Sequence, residues 1–119
     1  MLALSKDLTK KEIEQTEKIL SNIIQQKIRL FRPPFGFFSW NTIIAARELG
    51  YLLVMWSGLT GDFRNWKSEK IVQNALNNIS HGSILVFHDN DLTQQKIAEI
   101  LQNVIMEIKN QGFEFGAIR

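Results

Sequence analysis

The sequence predicts an α/β domain: a parallel sheet with alternating helices. Helix-period amphipathic stretches alternate with short, continuously apolar runs in the order αβαβαβαβ, and such unbroken runs suit strands buried on both faces. The segments between successive runs are long enough to hold a helix, which parallel neighbours require because short links cannot join them; the crossovers are then right-handed. Four strands are expected. No internal repeat, low-complexity segment or Pro/Gly-rich linker interrupts the chain, so residues 1–119 are expected to form a single domain.

Thr9-Lys10-Lys11-Glu12 reads as a capping box with Leu8 and Ile13 as a hydrophobic staple, and Ile13, Leu20 and Ile24, widened by Ile19 and Ile23, extend a helix over 9–27. The apolar run Ile28 to Phe31 is a strand that must stop near Arg32, because Pro33 and Pro34 donate no amide hydrogen and restrict the residue before them. Residues 40–49 form a helix ended by Gly50, and Tyr51 to Trp56 is a buried strand. After a loop, Ser68 caps a helix through Ile79, the Ser80-His81-Gly82 turn closes it, and Ile84 to Phe87 is the next strand. Thr93 opens the last helix, with Ile97, Ile100, Leu101, Val104 and Ile108 on its apolar side. Gly112 ends that helix, and Phe113 to Ile118 is the final strand.

Bulk properties exclude several classes. With 45% hydrophobic and 22% charged residues the 119-residue chain can bury a core. A net charge of +2 without a basic block gives no footprint for nucleic acid. There is no cysteine, hence no disulfide framework or thiolate metal site. The longest apolar run, Leu52 to Trp56, is far below the ~18 residues of a membrane span, and the first residues are too short for a signal-peptide apolar region. The default expectation is a soluble cytoplasmic chain.

In parallel α/β folds chemistry gathers at the C-terminal ends of strands. Here those ends carry Arg32-Pro33-Pro34-Phe35-Gly36, Trp56 to Phe63, and His88-Asp89. Arg32, its backbone fixed by the prolines, suits a bidentate grip on a carboxylate, or is a surface arginine in a turn. His88 is a candidate general acid, or a histidine bonded to nearby backbone. Asp62 either pairs with Arg32 or terminates its loop, and His81 reads as a turn residue without chemistry. Trp40, Trp56 and Trp66 either line a sugar site or fill the core, while Phe35, Phe37 and Phe38 follow the Pro-Pro turn as the most exposed aromatic group.

Taken together, Arg32-Pro33-Pro34-Phe35-Gly36, then Gly50-Tyr51 and the strand into Trp56-Ser57-Gly58-Leu59-Thr60-Gly61-Asp62-Phe63, then Gly82 to Asp89, resemble in order and spacing the third, fourth and fifth motifs of the NodB polysaccharide deacetylases. The ending Gln111-Gly112-Phe113-Glu114-Phe115 resembles the family's last helix and strand. The resemblance implies about half of a distorted (β/α) barrel of the NodB type, whose members remove N- or O-acetyl groups from carbohydrate with a divalent metal such as zinc and an aspartate base. It implies that Arg32 orients that base, the Phe35 amide stabilises the oxyanion, His88 protonates the leaving group, Val86 lines the acetyl pocket beside Trp56, and Asp62 is the second aspartate of motif four. Leu59 and Phe63 depart from that motif's usual aspartate and tryptophan.

The family's Thr-Phe-Asp-Asp-Gly and His-Ser/Thr-x-x-His motifs, which supply the base and the metal ligands, do not occur in this sequence. With only His81 and His88 present, no metal site is expected for this chain alone. The expectation is a partial domain, short of the ~250 residues of an intact barrel, inactive by itself and acting on acetylated polysaccharide or oligosaccharide only if a missing half completes it. A half barrel leaves edges and apolar faces uncovered, so self-association is expected. The alternatives are a non-catalytic module in which the Phe35 to Trp40 loop binds glycan or protein, and a small open-sheet α/β domain matching these motifs by accident.

Overall fold

Ser5 starts the first helix: its Oγ accepts the Leu8 N–H at 3.3 Å, and Asp7 places negative charge in the first turn, where the helix dipole favours it. The computed structural model describes residues 4–118, and helix α1 runs over Lys6–Ile24. The expected Thr9 capping box is therefore not the cap. Once the helix begins at Lys6, Thr9 lies inside it, and its hydroxyl donates back to the Ser5 carbonyl at 2.9 Å. The helix also stops short of residue 27, because Gln25 turns left-handed (φ 51°) and returns its N–H to Ser21 O at 2.9 Å.

The chain packs as two compact units, one up to Met55 and one from Trp56. In the first, strand β1 (Leu30–Phe31) leads through a 3-10 turn (Pro34–Gly36) to helix α2 (Trp40–Glu48) and strand β2 (Leu52–Leu53). The strands pair in parallel, Leu30 against Leu52 and Phe31 against Leu53. Ser39 and Thr42 form a reciprocal capping box on α2, each side-chain oxygen taking the other's N–H at 3.2–3.3 Å. Helices α1 and α2 bury Ile13, Ala45 and Ala46, and Lys6 and Lys10 both reach Glu48 at the surface. Ile19, Ile23 and Ile24 of α1 remain exposed.

In the second unit, strand β3 (Gly58–Leu59) is followed by α3 (Ser68–Asn77), β4 (Leu85–Val86) and α4 (Ile97–Asn110). Strands β3 and β4 pair in parallel, Gly58 opposite Leu85 and Leu59 opposite Val86. Ile71 and Ala75 of α3 and Ile100, Val104 and Ile108 of α4 form the core, with Trp66, Leu85, Phe87 and Phe113 against it. Burying such side chains supplies about 1.5–3 kcal/mol each for the larger ones.

The α/β architecture and parallel pairing agree with expectation, but the strand inventory differs. Gly58 and Leu59, expected in a loop, pair as a strand because Gly58 lacks a Cβ, which would lie 2.9 Å from Leu85 Cδ2 and 3.0 Å from Asn78 Cβ. Phe113–Ile118 forms no strand among the described residues. Only Phe113 is drawn into the core, and the segment has no ladder partner, without which its backbone groups gain nothing from an extended conformation. The paired residues form two separate two-stranded ladders rather than one four-stranded sheet. Ser68 is the first helical residue and not the cap, which is Lys67 without a side-chain bond. Among the described residues no helix is long and apolar enough to cross a membrane.

In the first unit a cavity of about 680 Å³ lies along α1, lined by Ile13, Leu20, Phe31, Pro34, Phe37 and Tyr51 among others. The Tyr51 hydroxyl is buried there, with no hydrogen bond among the described residues. Burial first, and then the neighbouring Glu17 carboxylate, push this phenol up to about 12. An unfolded phenol ionises near ~10, so between these values the unfolded state sheds its proton first and stability falls as pH rises. As the chain has 1 tyrosine, an absorbance titration should find no phenolate until near pH 12, with stability level below about pH 10 and declining above it. Ionisation near pH 10 would place the ring in water.

Two glycines supply a second test. Gly61 and Gly82 both have φ of 78°, but a Cβ on Gly61 would lie 2.4 Å from Trp66 Cζ3, whereas one on Gly82 meets nothing within 4 Å. Gly82→Ala should cost about 1 kcal/mol through backbone strain alone, and Gly61→Ala about 1–3 kcal/mol more through the clash, both read by urea unfolding. Equal losses would mean that Trp66 does not pack on Gly61.

Candidate active site

Strand β4 and segments that follow strands hold the residues singled out by sequence. Arg32 and Phe35 follow β1 in the first unit, while Trp56, Asp62, Val86 and His88 belong to the second. Arg32 is exposed and donates its Nε to the Val54 carbonyl at 3.1 Å. Phe35 lies in the 3-10 turn with φ of 56° and is 84% exposed. The Phe35 N–H meets no protein acceptor among the described residues.

In the second unit the structure brings Asp62 and His88 together. The Asp62 side chain is fully buried; its Oδ1 lies 2.8 Å from His88 Nδ1 and its Oδ2 accepts the His88 backbone N–H. One carboxylate thus fixes both the ring and the main chain of the histidine. With a carboxylate on Nδ1, the ring carries its proton there and leaves Nε2 as the nitrogen that can exchange a proton with a ligand. The His88 side chain is 41% exposed, so ligand access remains. Its ring meets Phe63 edge to face, with centroids 5.8 Å apart. Val86 lies in β4, where its carbonyl accepts the Thr60 hydroxyl at 3.1 Å; Trp56 lines a neighbouring cleft.

Supporting residues not singled out by sequence complete the arrangement. Thr60 and Thr93 are both fully buried. The Thr60 hydroxyl accepts the Asp62 N–H at 3.4 Å while donating to Val86, and the Thr93 hydroxyl donates to the His88 carbonyl at 2.6 Å. Thr93 was expected to open α4; its hydroxyl is spent on the histidine loop instead, where it also accepts the Asn90 N–H at 3.0 Å. That Asn90-to-Thr93 spacing is a local turn signature and could have been read as one. Asn74 of α3 donates to the Leu59 and Thr60 carbonyls, both at 2.9 Å, anchoring the loop from the other side.

A divalent metal needs three or more convergent protein ligands, and this donor set does not fit one. Asp62 has committed both oxygens to His88, and among the described residues no three His, Cys, Asp or Glu side chains gather. What the arrangement can do is hold a proton-transferring imidazole in one orientation at an accessible surface.

Known proteins match this chain in sequence and in fold. The polysaccharide deacetylase family model matches residues 1–54. A peptidoglycan-N-acetylglucosamine deacetylase of Bacillus cereus is 34% identical over 89 residues, 72% of this chain and 41% of that protein. Among solved structures, a peptidoglycan N-acetylglucosamine deacetylase superposes with a TM-score of 0.87 at 27% identity, covering 95% of this chain and 53% of its own. A CE4-family pseudoenzyme from Bacillus anthracis superposes with a TM-score of 0.84 at 26% identity, covering 96% of this chain and 39% of its own. The chain therefore spans 41% of the length of the Bacillus cereus relative, well under two thirds. With the third, fourth and fifth motifs in order at β1, β3 and β4, the chain belongs to the NodB-type polysaccharide deacetylase family, carbohydrate esterase family 4.

Proposed function

We propose that the second unit of this chain supplies the proton donor, and its first unit the oxyanion-binding amide, of carbohydrate deacetylation, and that the chain hydrolyses acetyl groups only together with residues that are not in this sequence. The observation that carries the reading is the buried Asp62 carboxylate holding His88 by ring and backbone at once. Cleaving an N- or O-acetyl bond requires an acid for the departing amine or alcohol, and that role is assigned to His88 Nε2. Asp62 keeps the imidazole in the required tautomer and orientation, as a positioning residue. The Phe35 N–H, without an acceptor among the described residues, suits an oxygen that becomes negatively charged when the acetyl carbonyl is attacked. Arg32 is assigned the orienting of the base. Trp56 and Val86 are assigned the walls around the acetyl group. The aspartate base and the metal ligands belong to the family's first two motifs, and neither string is found here.

Acetate release from acetylated chitooligosaccharide, by this chain with and without the N-terminal half of a family member bearing the first two motifs, tests the reading. The chain alone should release none and the mixture should. His88→Ala should lower that restored rate about 10²–10⁴-fold, as loss of a general acid does, and Asp62→Asn should lower it with substrate binding retained. Metal-dependent turnover by the lone chain, or full activity of the His88→Ala mixture, would refute the assignment.

A separate outcome concerns metal. After dialysis the chain should carry far less than one zinc, cobalt or nickel ion per molecule by elemental analysis, because too few ligands converge. A content near one would point to ligands recruited between copies.

A further inference from the structure

The second unit carries a cleft beside the Asp62–His88 pair, lined by Arg64 and flanked by Lys70 across the Trp66 ring, and neither cation has a counter-charge among the described residues. The cleft encloses about 510 Å³, within the usual ~300–1,000 Å³ of small-ligand sites. Its lining includes Trp56, Phe63, Arg64, Trp66, Asn74 and Asn78. The Arg64 guanidinium lies over the Trp66 ring at 5.0 Å and the Phe63 ring at 5.6 Å, and Lys70 Nζ lies over Trp66 at 4.1 Å. Neither side chain makes an ion pair or a hydrogen bond to an oxygen among the described residues, where the only acid–base pair of this unit is Asp62 with His88.

Aromatic faces therefore hold two positive charges in place without consuming their N–H donors. A guanidinium restrained in this way loses less freedom when it grips an anion, and its planar fork matches a carboxylate bidentately. The amides add polarity of the opposite kind. Asn74 Nδ2 donates to two carbonyls and Asn78 Nδ2 to the Asn74 carbonyl at 2.7 Å, which fixes both amides and leaves their Oδ1 atoms as acceptors for hydroxyl groups. Phe63 joins this cleft to the candidate acid, because the same ring meets both Arg64 and His88.

From these observations we infer that the cleft binds a carboxylate-bearing sugar residue of the glycan, with Arg64 as the carboxylate receptor, Lys70 as a second charge and the two asparagines as hydroxyl acceptors. This rests on the carbohydrate reading above and narrows its substrate class to acidic glycans. The carboxylate can come from a uronic acid or from a lactyl ether on an amino sugar.

Calorimetry and the NMR shift of the Trp66 indole N–H on the full 119-residue chain test it. The probes are a glucuronate-bearing xylo-oligosaccharide, a muramic-acid-containing disaccharide, and chitobiose as the neutral control. At least one acidic probe should bind about five- to tenfold tighter than chitobiose at low salt, with the advantage shrinking as salt rises. Whichever binds tighter identifies the carboxylate source. Arg64→Gln should abolish the advantage and Arg64→Lys should restore only part of it; as Arg64 is exposed, these variants should fold normally. Equal binding of chitobiose, an acidic preference that survives Arg64→Gln, tighter binding of a phosphorylated oligosaccharide, or no acidic binding at all would overturn the inference. The deacetylase reading is decided separately by acetate release.

Discussion

The second unit is organised around one fully buried carboxylate. An ionised group without solvent must have every oxygen satisfied, and Asp62 meets that demand with the ring and the backbone N–H of a single residue. The requirement reaches outward. The loop bearing Asp62 is held by the Thr60 hydroxyl against β4 and by Asn74 from α3, and the loop bearing His88 is held by Thr93. Parallel pairing of β3 with β4 brings the two loops to the same end, which antiparallel strands would not do.

The glycine-rich loop of this unit follows from the same demand. Asp62 can turn inward only if the chain reverses at Gly61, in a backbone conformation that side chains rarely adopt and with the Trp66 ring where a Cβ would be. Trp66 in turn joins the core of α3 and α4 while presenting its ring to Arg64 and Lys70. Packing, turn and surface charge thus meet at one indole, on whose ring Arg64 and Lys70 lie with no acidic partner among the described residues.

Much of the fold was legible because helices declare themselves locally. The apolar spacing of 97–108 and the Gly50 stop gave α4 and the end of α2 nearly as observed. The errors occurred where a local signal had a rival. Thr9 and Ser68 look like caps until Ser5 and Lys67 are seen to hold those places. Phe113 to Ile118 has strand composition, but a strand is a property of two segments, and composition does not supply the second. The candidate site divides the same way. Its residue types were visible at strand ends, whereas the choice of His88 as the partner of Asp62 depends on the register of Gly58 with Leu85, a contact between segments 27 residues apart that no local pattern encodes.

Phe35 is a different kind of signal. A bulky residue in the left-handed region costs about 1–2 kcal/mol, and folding alone gains nothing from it. Pro33 and Pro34 hold the chain entering the turn, Gly36 continues it at φ of 71°, and the Gly36 and Phe37 N–H groups return to the Pro33 and Pro34 carbonyls at 3.0 and 3.2 Å. The neighbouring amides are thereby satisfied, and the Phe35 amide meets no acceptor among the described residues. A strain that a glycine would relieve and an amide without an acceptor among the described residues thus occur at one residue. Their coincidence directly after a parallel strand is the pattern expected of a backbone amide kept available for a ligand oxygen.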